Sequence, residues 1–90
     1  MPNVEIHGYN EPETNIVAGM VAERLRFAPF AHDVVISECH GVVTNLMMQN
    51  KPYLRVIDDD APEAQQVVDL LKPLNIDIEV LLLHAFIPSQ

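Results

Sequence analysis

The chain has no tryptophan, one cysteine, three glycines and only five basic residues among its 90 residues. Because Cys39 has no second cysteine to pair with, a disulfide scaffold of the kind found in small secreted domains is excluded. The three glycines are isolated, so no glycine-rich phosphate loop is present. The longest apolar run, residues 80–83, is far too short to cross a membrane.

Acidic residues outnumber basic ones by 13 to 5, which gives a net charge of −8. Nucleic acids and anionic membrane surfaces bind basic patches, so we expect neither as a partner. The first residues hold no basic stretch followed by an apolar one, and we therefore expect a cytoplasmic protein. A chain this short in which 49% of the residues are apolar favours self-association.

The first half of the chain has the pattern of a strand, a helix and a second strand. Residues 3–7 alternate apolar and polar side chains, which predicts a strand. Asn10 is suited to cap a helix, because two acidic residues and a proline follow it, and the apolar spacing extends this helix to about residue 27. A second strand is predicted over residues 34–40. The apolar face of the helix comprises Val17, Met20, Val21, Leu25 and Ala28.

The second half repeats this order after a short extra strand, predicted over residues 42–48. Residues 53–57 predict the next strand, and the aspartates at 58–60 are placed to cap a second helix that runs to Lys72. A last strand is predicted over residues 77–87. Its centre is almost entirely apolar, which is typical of a strand that is covered on both faces.

The two halves are related by an internal repeat. Residues 2–6 match residues 52–56 at an offset of 50, and the match continues through both helices. After the shorter second helix the offset becomes 44, at which residues 33–40 match residues 77–84.

The repeat predicts a single domain, residues 1–90, with halves 1–41 and 52–90 joined by a linker at 42–51. Each half is a β-α-β unit with a right-handed crossover. The predicted fold class is therefore α/β (α+β), with one mixed sheet of four to five strands and both helices on one face.

Pro2 is the candidate for catalysis. Cells usually remove Met1 before a small second residue such as proline, and the product here would carry a secondary amine at the start of a strand. An apolar pocket lowers the pKa of such an amine, and the neutral form can then move a proton next to a carbonyl. The alternative is that Pro2 only enters the strand, as its repeat partner Pro52 does inside the chain.

Residues 2–7, a helix of fitting length and residues 34–38 together resemble the tautomerase superfamily, which includes 4-oxalocrotonate tautomerase and macrophage migration inhibitory factor. The doubled β-α-β pattern resembles the longer members. This resemblance implies a homotrimer with the amino-terminal proline as general acid–base, in a pocket between subunits. It also implies a small carbonyl or enol acid as substrate and no cofactor or metal.

Substrate-binding residues are harder to assign. Arg26, Arg55 and His40 are the candidates for holding an acidic substrate beside Pro2. Related enzymes place arginines after the first strand and at the start of the second, where carboxylates of this chain would repel a dicarboxylate. These carboxylates belong to Glu11, Glu13 and Asp33.

Other constellations give weaker hypotheses. Cys39 and His40 are neighbours in a predicted strand and so point to opposite faces, and we expect no metal site there.

A non-enzymatic ferredoxin-like module has the same βαββαβ order of elements. Strand order separates the two folds, because the strands flanking each helix are adjacent only in the tautomerase-like arrangement. A tautomerase-like fold that serves only for binding or assembly is a third possibility.

Overall fold

The computed structural model describes residues 1–8, 11–37 and 51–83 of the chain. Within these residues, strands and helices alternate as the two sequence halves predict. The elements are, in chain order, β1 (Asn3–His7), α1 (Glu11–Leu25), β2 (Asp33–Ser37), β3 (Tyr53–Asp58), α2 (Ala61–Leu71), a 3-10 turn (Lys72–Leu74) and β4 (Asp77–Leu82).

The four strands form one mixed sheet in the order β2-β1-β3-β4. The strands that flank α1 are parallel neighbours, as are the strands that flank α2, and β1 and β3 meet antiparallel in the centre. A ferredoxin-like sheet would place another strand between the two members of each such pair. The ferredoxin-like alternative is therefore wrong for this chain. The predicted extra strand at 42–48 lies outside the described residues.

The strand registers follow the internal repeat. Asn3 pairs with Asp33 in the first parallel pair, and Tyr53 pairs with Asp77 in the second. These are the equivalences that the offsets of 50 and 44 predict. The two halves are thus superimposable units at the level of strand pairing.

An approximate twofold axis relates the halves. The central antiparallel pair places Glu5 opposite Arg55, and these residues occupy the same position in the repeat. The axis therefore passes between them. It follows that the end of the sheet where β1 begins has its counterpart at the opposite end, where β3 begins.

Both helices pack on one face of the sheet and bury a continuous apolar layer. Each side chain of this size that leaves water contributes about 1.5–3 kcal/mol to folding, so this layer is the main source of stability. Between the helices, the Arg24 guanidinium donates a hydrogen bond of 2.9 Å to the carbonyl oxygen of Leu70. The buried apolar residues are Val4, Ile6, Val17, Val21, Leu25, Leu54, Val56, Ala64, Val67 and Leu71.

Local sequence signals explain the limits of the second helix. The Asp60 carboxylate accepts a hydrogen bond of 3.0 Å from the backbone N–H of Glu63, which confirms the predicted cap. The helix ends at Leu71 and tightens into the 3-10 turn, which Asn75 closes with a left-handed φ of 56°. The first helix ends at Leu25, slightly before the predicted end near residue 27.

Two predicted burial assignments are wrong. Met20 was expected on the apolar face of α1, but it is 41% exposed because the buried stripe runs through Val17, Val21 and Leu25. The last strand was expected to be covered on both faces. Among the four described strands it lies at the edge of the sheet, and Val80 and Leu81 are each 45% exposed.

The described part of the chain holds no helix that is long and apolar enough to cross a membrane.

Candidate functional site

An open cleft of about 550 Å³ lies at the end of the sheet where β1 and β2 begin and β3 and β4 end. Three of its lining residues, Asn3, Asp33 and Ile57, are paired across β2, β1 and β3, so they form a continuous floor on the face opposite the helices. The full lining consists of Met1, Asn3, Asp33, Ile57, Asp58, Asp59 and Leu83.

Pro2 lies between two of these lining residues at the start of β1. Its side chain is among those that are less than 2% exposed. Its carbonyl oxygen accepts a hydrogen bond of 3.0 Å from the backbone N–H of Asp33, which fixes the start of β1 against β2. The predicted catalytic residue is therefore held in a buried and ordered position beside the cleft.

The terminal ammonium of Met1 is bound by two carboxylates of the cleft. It lies 3.3 Å from Asp58 Oδ1 and 3.6 Å from Asp59 Oδ1. The Asp58 side chain is completely buried, whereas that of Asp59 is 73% exposed. A second hydrogen bond of 2.8 Å reaches Asp58 Oδ1 from the backbone N–H of Asp59.

This pairing moves both pKa values away from their ordinary ranges. Burial by itself raises the pKa of the Asp58 carboxyl, but hydrogen bonds from the Met1 ammonium and from Asp59 outweigh it, so the pKa is lowered. The hydrogen bond to Asp58 raises the pKa of the Met1 amine, against a smaller opposing effect of burial. The cleft thus favours a positively charged group next to a negatively charged Asp58.

Two buried acceptor atoms of the cleft find no hydrogen-bond partner among the described residues. They are Asn3 Oδ1 and Asp58 Oδ2. A buried acceptor without a donor is destabilising by about 1–3 kcal/mol. Both atoms belong to residues that line the cleft, although each atom is itself buried in this structure.

A second cleft, of about 460 Å³, lies where β3 begins, and Glu13 and Val17 of α1 form part of its lining. Pro52 and Asp77 line it, at positions equivalent to Pro2 and Asp33. Lys51 takes the place that Met1 has in the first cleft. The nitrogen of Pro52 belongs to a peptide bond, so this second cleft has no proline amine and cannot perform the same chemistry.

The structure does not bring the predicted substrate-binding residues into the cleft. Arg26 forms an exposed ion pair of 3.2 Å with Glu23, and its guanidinium lies 4.8 Å from the centre of the Phe27 ring. Arg55 lies at the centre of the open face of the sheet. His40 lies outside the described residues. The roles of these three residues in substrate binding stay predictions.

Arg55 belongs instead to a row of charges across the sheet. Its Nη2 lies 3.4 Å from Glu79 Oε2, and its Nη1 lies 3.9 Å from Glu5 Oε1. The same Glu5 oxygen lies 3.1 Å from His7 Nε2, and the His7 ring stacks on Tyr53 at 4.7 Å. This network neutralises the guanidinium, so Arg55 is engaged in structural contacts.

Sequence reasoning assigned the aspartates at 58–60 to helix capping and missed a second use. Only Asp60 caps α2, whereas Asp58 and Asp59 bind the chain terminus. The repeat offered a signal, because Asp58 stands where the first half has Gly8. Among residues 1–8, 11–37 and 51–83, no three side chains of metal-ligating type are grouped to hold a metal ion.

Fold and site together define a small α+β protein of two β-α-β units, with an acidic cleft at the end of the sheet where β1 begins. No family model matches the chain, and no match was found among curated proteins. Among solved structures, it is similar to a domain of unknown function (DUF1904) from Sebaldella termitidis, with 12% sequence identity and a TM-score of 0.48. That similarity covers 96% of this chain and 90% of the other.

Proposed function

We propose that this protein is a cofactor-independent tautomerase or isomerase in which Pro2, after removal of Met1, transfers a proton on a small carbonyl or enol compound. The same proposal assigns the fold to the tautomerase-like type and the assembly to a homotrimer. The supporting observation is the position of Pro2, which is buried at the start of β1 between Met1 and Asn3, two residues that line an open cleft.

The proposed reaction needs only a neutral secondary amine. The Pro2 nitrogen takes a proton from the carbon next to the carbonyl group, and the electron pair of the broken C–H bond forms the double bond of the enolate. The protonated amine then returns this proton to the oxygen or to another carbon of the substrate. No electron is gained or lost, so no redox partner is required.

Two effects act in opposite directions on the pKa of this amine. Burial of the proline ring disfavours the charged form and lowers the pKa. The Asp58 carboxylate favours the charged form and raises it, as it does for the Met1 amine. A dependence of turnover on pH therefore reports which effect is larger, and Asp58→Asn is expected to lower the amine pKa and shift the acidic limb, where turnover rises with pH, to lower pH.

The test begins with intact mass spectrometry of natively expressed protein, which establishes whether Pro2 is the first residue. Turnover of phenylenolpyruvate and of uncharged enols is then compared between this protein, Pro2→Ala and a form that retains Met1. We expect Pro2→Ala to lose most of its activity, and the Met1 form to lose it too, because its Pro2 nitrogen is an amide. Turnover that is unchanged in Pro2→Ala contradicts the proposal.

A second candidate function, a binding or assembly module without catalysis, is favoured by one observation. With Met1 in place, its ammonium is bound by Asp58, so the terminus already has a stable, catalytically silent arrangement. This candidate predicts that Met1 is retained in the native protein and that no enol is converted. Size-exclusion chromatography with light scattering tests the assembly that both candidates require.

A further inference from the structure

We propose that the acidic cleft binds a small carbonyl or enol compound that carries a cationic group, with the cation held between Asp58 and Asp59. This inference rests on the proposed function for the chemistry at Pro2. It departs from the acidic substrates that the resemblance of the sequence implies, and it concerns which molecules the cleft selects.

The structure already contains a cation in this position. The ammonium of Met1 lies within 3.6 Å of both carboxylates, and it stands in for the cationic group of a ligand. Removal of Met1 withdraws this ammonium, so Asp58 and Asp59 together then face only the Pro2 amine as a cationic partner within the chain's terminus. A carboxylate that is taken out of water and left unpaired is destabilising, which favours replacement by another cation.

Charge at the cleft favours a cation even when Pro2 is protonated. Three carboxylates line the cleft, those of Asp33, Asp58 and Asp59. One protonated amine leaves this group with a net charge of about −2, by counting side chains at neutral pH. The net charge of −8 of the whole chain acts in the same direction on an approaching molecule.

The residues that line the cleft also carry buried hydrogen-bond acceptors, which suit a ligand with donors once Met1 is removed. The two acceptors without a described partner, Asn3 Oδ1 and Asp58 Oδ2, both belong to lining residues. An ammonium group has three donors and a guanidinium five, whereas a carboxylate ligand has none. The apolar side chains of Ile57 and Leu83 line the same cleft and can contact the carbon chain between cation and carbonyl.

The first experiment measures binding without any reaction. Protein that starts at Pro2 is titrated with n-butylammonium, n-butanol and n-butyrate, and backbone NMR signals of the cleft residues are followed. We expect butylammonium to bind at least about tenfold more tightly than butyrate, equivalent to ~1.4 kcal/mol. Protein that retains Met1 is expected to bind butylammonium more weakly, because its own ammonium occupies the position.

Matched variants locate the binding. Asp59→Asn changes an exposed residue, and we expect it to weaken butylammonium binding about two- to fivefold, the range of an exposed ion pair. Asp77→Asn, at the position of the second cleft that corresponds to Asp33, is the control and should leave binding unchanged. Equal effects of the two substitutions, or equal binding of butyrate and butylammonium, overturn the inference.

The second experiment separates this inference from the proposed function. Deuterium exchange next to the carbonyl is compared by NMR for a ketone with a guanidinium group, for pentan-2-one and for 4-oxopentanoate. Pro2-dependent exchange that is fastest for 4-oxopentanoate overturns the inference and supports the proposed function. Exchange that is unchanged in Pro2→Ala overturns the proposed function, and the cation site is then decided by the binding data alone.

Discussion

The two clefts of this protein lie at opposite ends of its sheet and share two equivalent lining positions, Met1 with Lys51 and Asp33 with Asp77. The first cleft is lined by strand ends and the chain terminus, whereas residues of α1 and Pro52, within the chain, line the second. The strand registers are the same in both halves. The comparison teaches that duplication of a β-α-β unit preserves the strand pairing, while the residues that line the clefts differ between the halves.

A second difference between the halves lies at the end of the central strands. Gly8 follows β1, and any Cβ at this position would collide with the side chain of Thr14. The equivalent positions in the second half hold Asp58 and Ala64. In the first half the small Gly8 lies next to the larger Thr14 of α1. In the second half the sizes are exchanged, with the larger Asp58 in place of glycine and the smaller Ala64 in place of threonine. This exchange of volumes makes room for the carboxylate that lines the first cleft.

The largest expected effect tests whether the two halves contribute equally to the core. Leu71 and Val21 are equivalent and completely buried. We expect Leu71→Ala to lower the free energy of unfolding by about 2–5 kcal/mol, because it removes apolar contacts and leaves a cavity. Val21→Ala should have a smaller effect, since valine is smaller. Urea unfolding followed by circular dichroism measures both, and a larger effect at Val21 would show that the halves are unequally packed.

Substitutions at two glycines, Gly8 and Gly19, test whether the space beside Thr14 requires a residue without a side chain. Gly8→Ala is expected to destabilise the protein by about 1–3 kcal/mol, because its Cβ meets Thr14 in a packed site. Gly19 lies in α1 with nothing within 4 Å of a new Cβ. Gly19→Ala should instead stabilise the protein by about 0.5–1 kcal/mol through helix propensity. Thermal unfolding of both variants checks the prediction, and effects of the same sign would contradict it.

Substitution of Asp60, which caps α2, is expected to have an intermediate effect on the free energy of unfolding. Asp60→Ala removes the acceptor for the N–H of Glu63 and should lower stability by about 1 kcal/mol. Asp69→Ala, which changes an exposed aspartate in the middle of α2 that pairs with Gln65, is the control and should have a smaller effect. Chemical denaturation compares the two. Equal losses would mean that the cap contributes no more than a surface contact.

The smallest effect concerns the pairing of Met1 with Asp58 in protein that retains Met1. The contribution of Asp58 is fully present above its ordinary pKa of 3.8 and is lost as the pH falls through its lowered pKa. The contribution of the amine is fully present below its ordinary pKa of 8.0 and is lost as the pH rises through its raised pKa. The stability difference from Asp58→Asn should therefore be largest between these limits. A difference that does not vary with pH in urea titrations would contradict the pairing.

Most of the fold could be predicted because the signals were local or repeated. Alternation over Asn3–His7 and the cap at Asp60 both predict their elements correctly. The repeat predicted strand registers that no local pattern contains. The exposure of Val80 and Leu81 could not be predicted, because an apolar run is the same in a central strand and in an edge strand. Only strand order distinguishes the two.

The candidate site could be predicted in part. Pro2 could be proposed because the chemistry expected of it depends on its place next to the terminus, which is visible in the sequence, and its catalytic role stays a prediction. Asp58 was missed as a site residue, since a run of aspartates before a helix is explained by capping alone. Its proximity to Met1 joins residues that are 57 positions apart, which only strand pairing produces. Arg55 was a candidate on charge alone, and its ion pairs with Glu5 and Glu79 depend on the same pairing.

By itself, the sequence determined the elements, the duplication and the acidic balance, because hydrophobic periodicity and charge are properties of neighbouring residues. The tertiary structure alone decided that the flanking strands are adjacent, that β4 lies at an edge, and that the terminus meets a buried carboxylate. The physical reason is that pairing between strands brings together residues that are distant in the chain. The contacts between charged groups and hydrogen-bond acceptors therefore depend on that pairing.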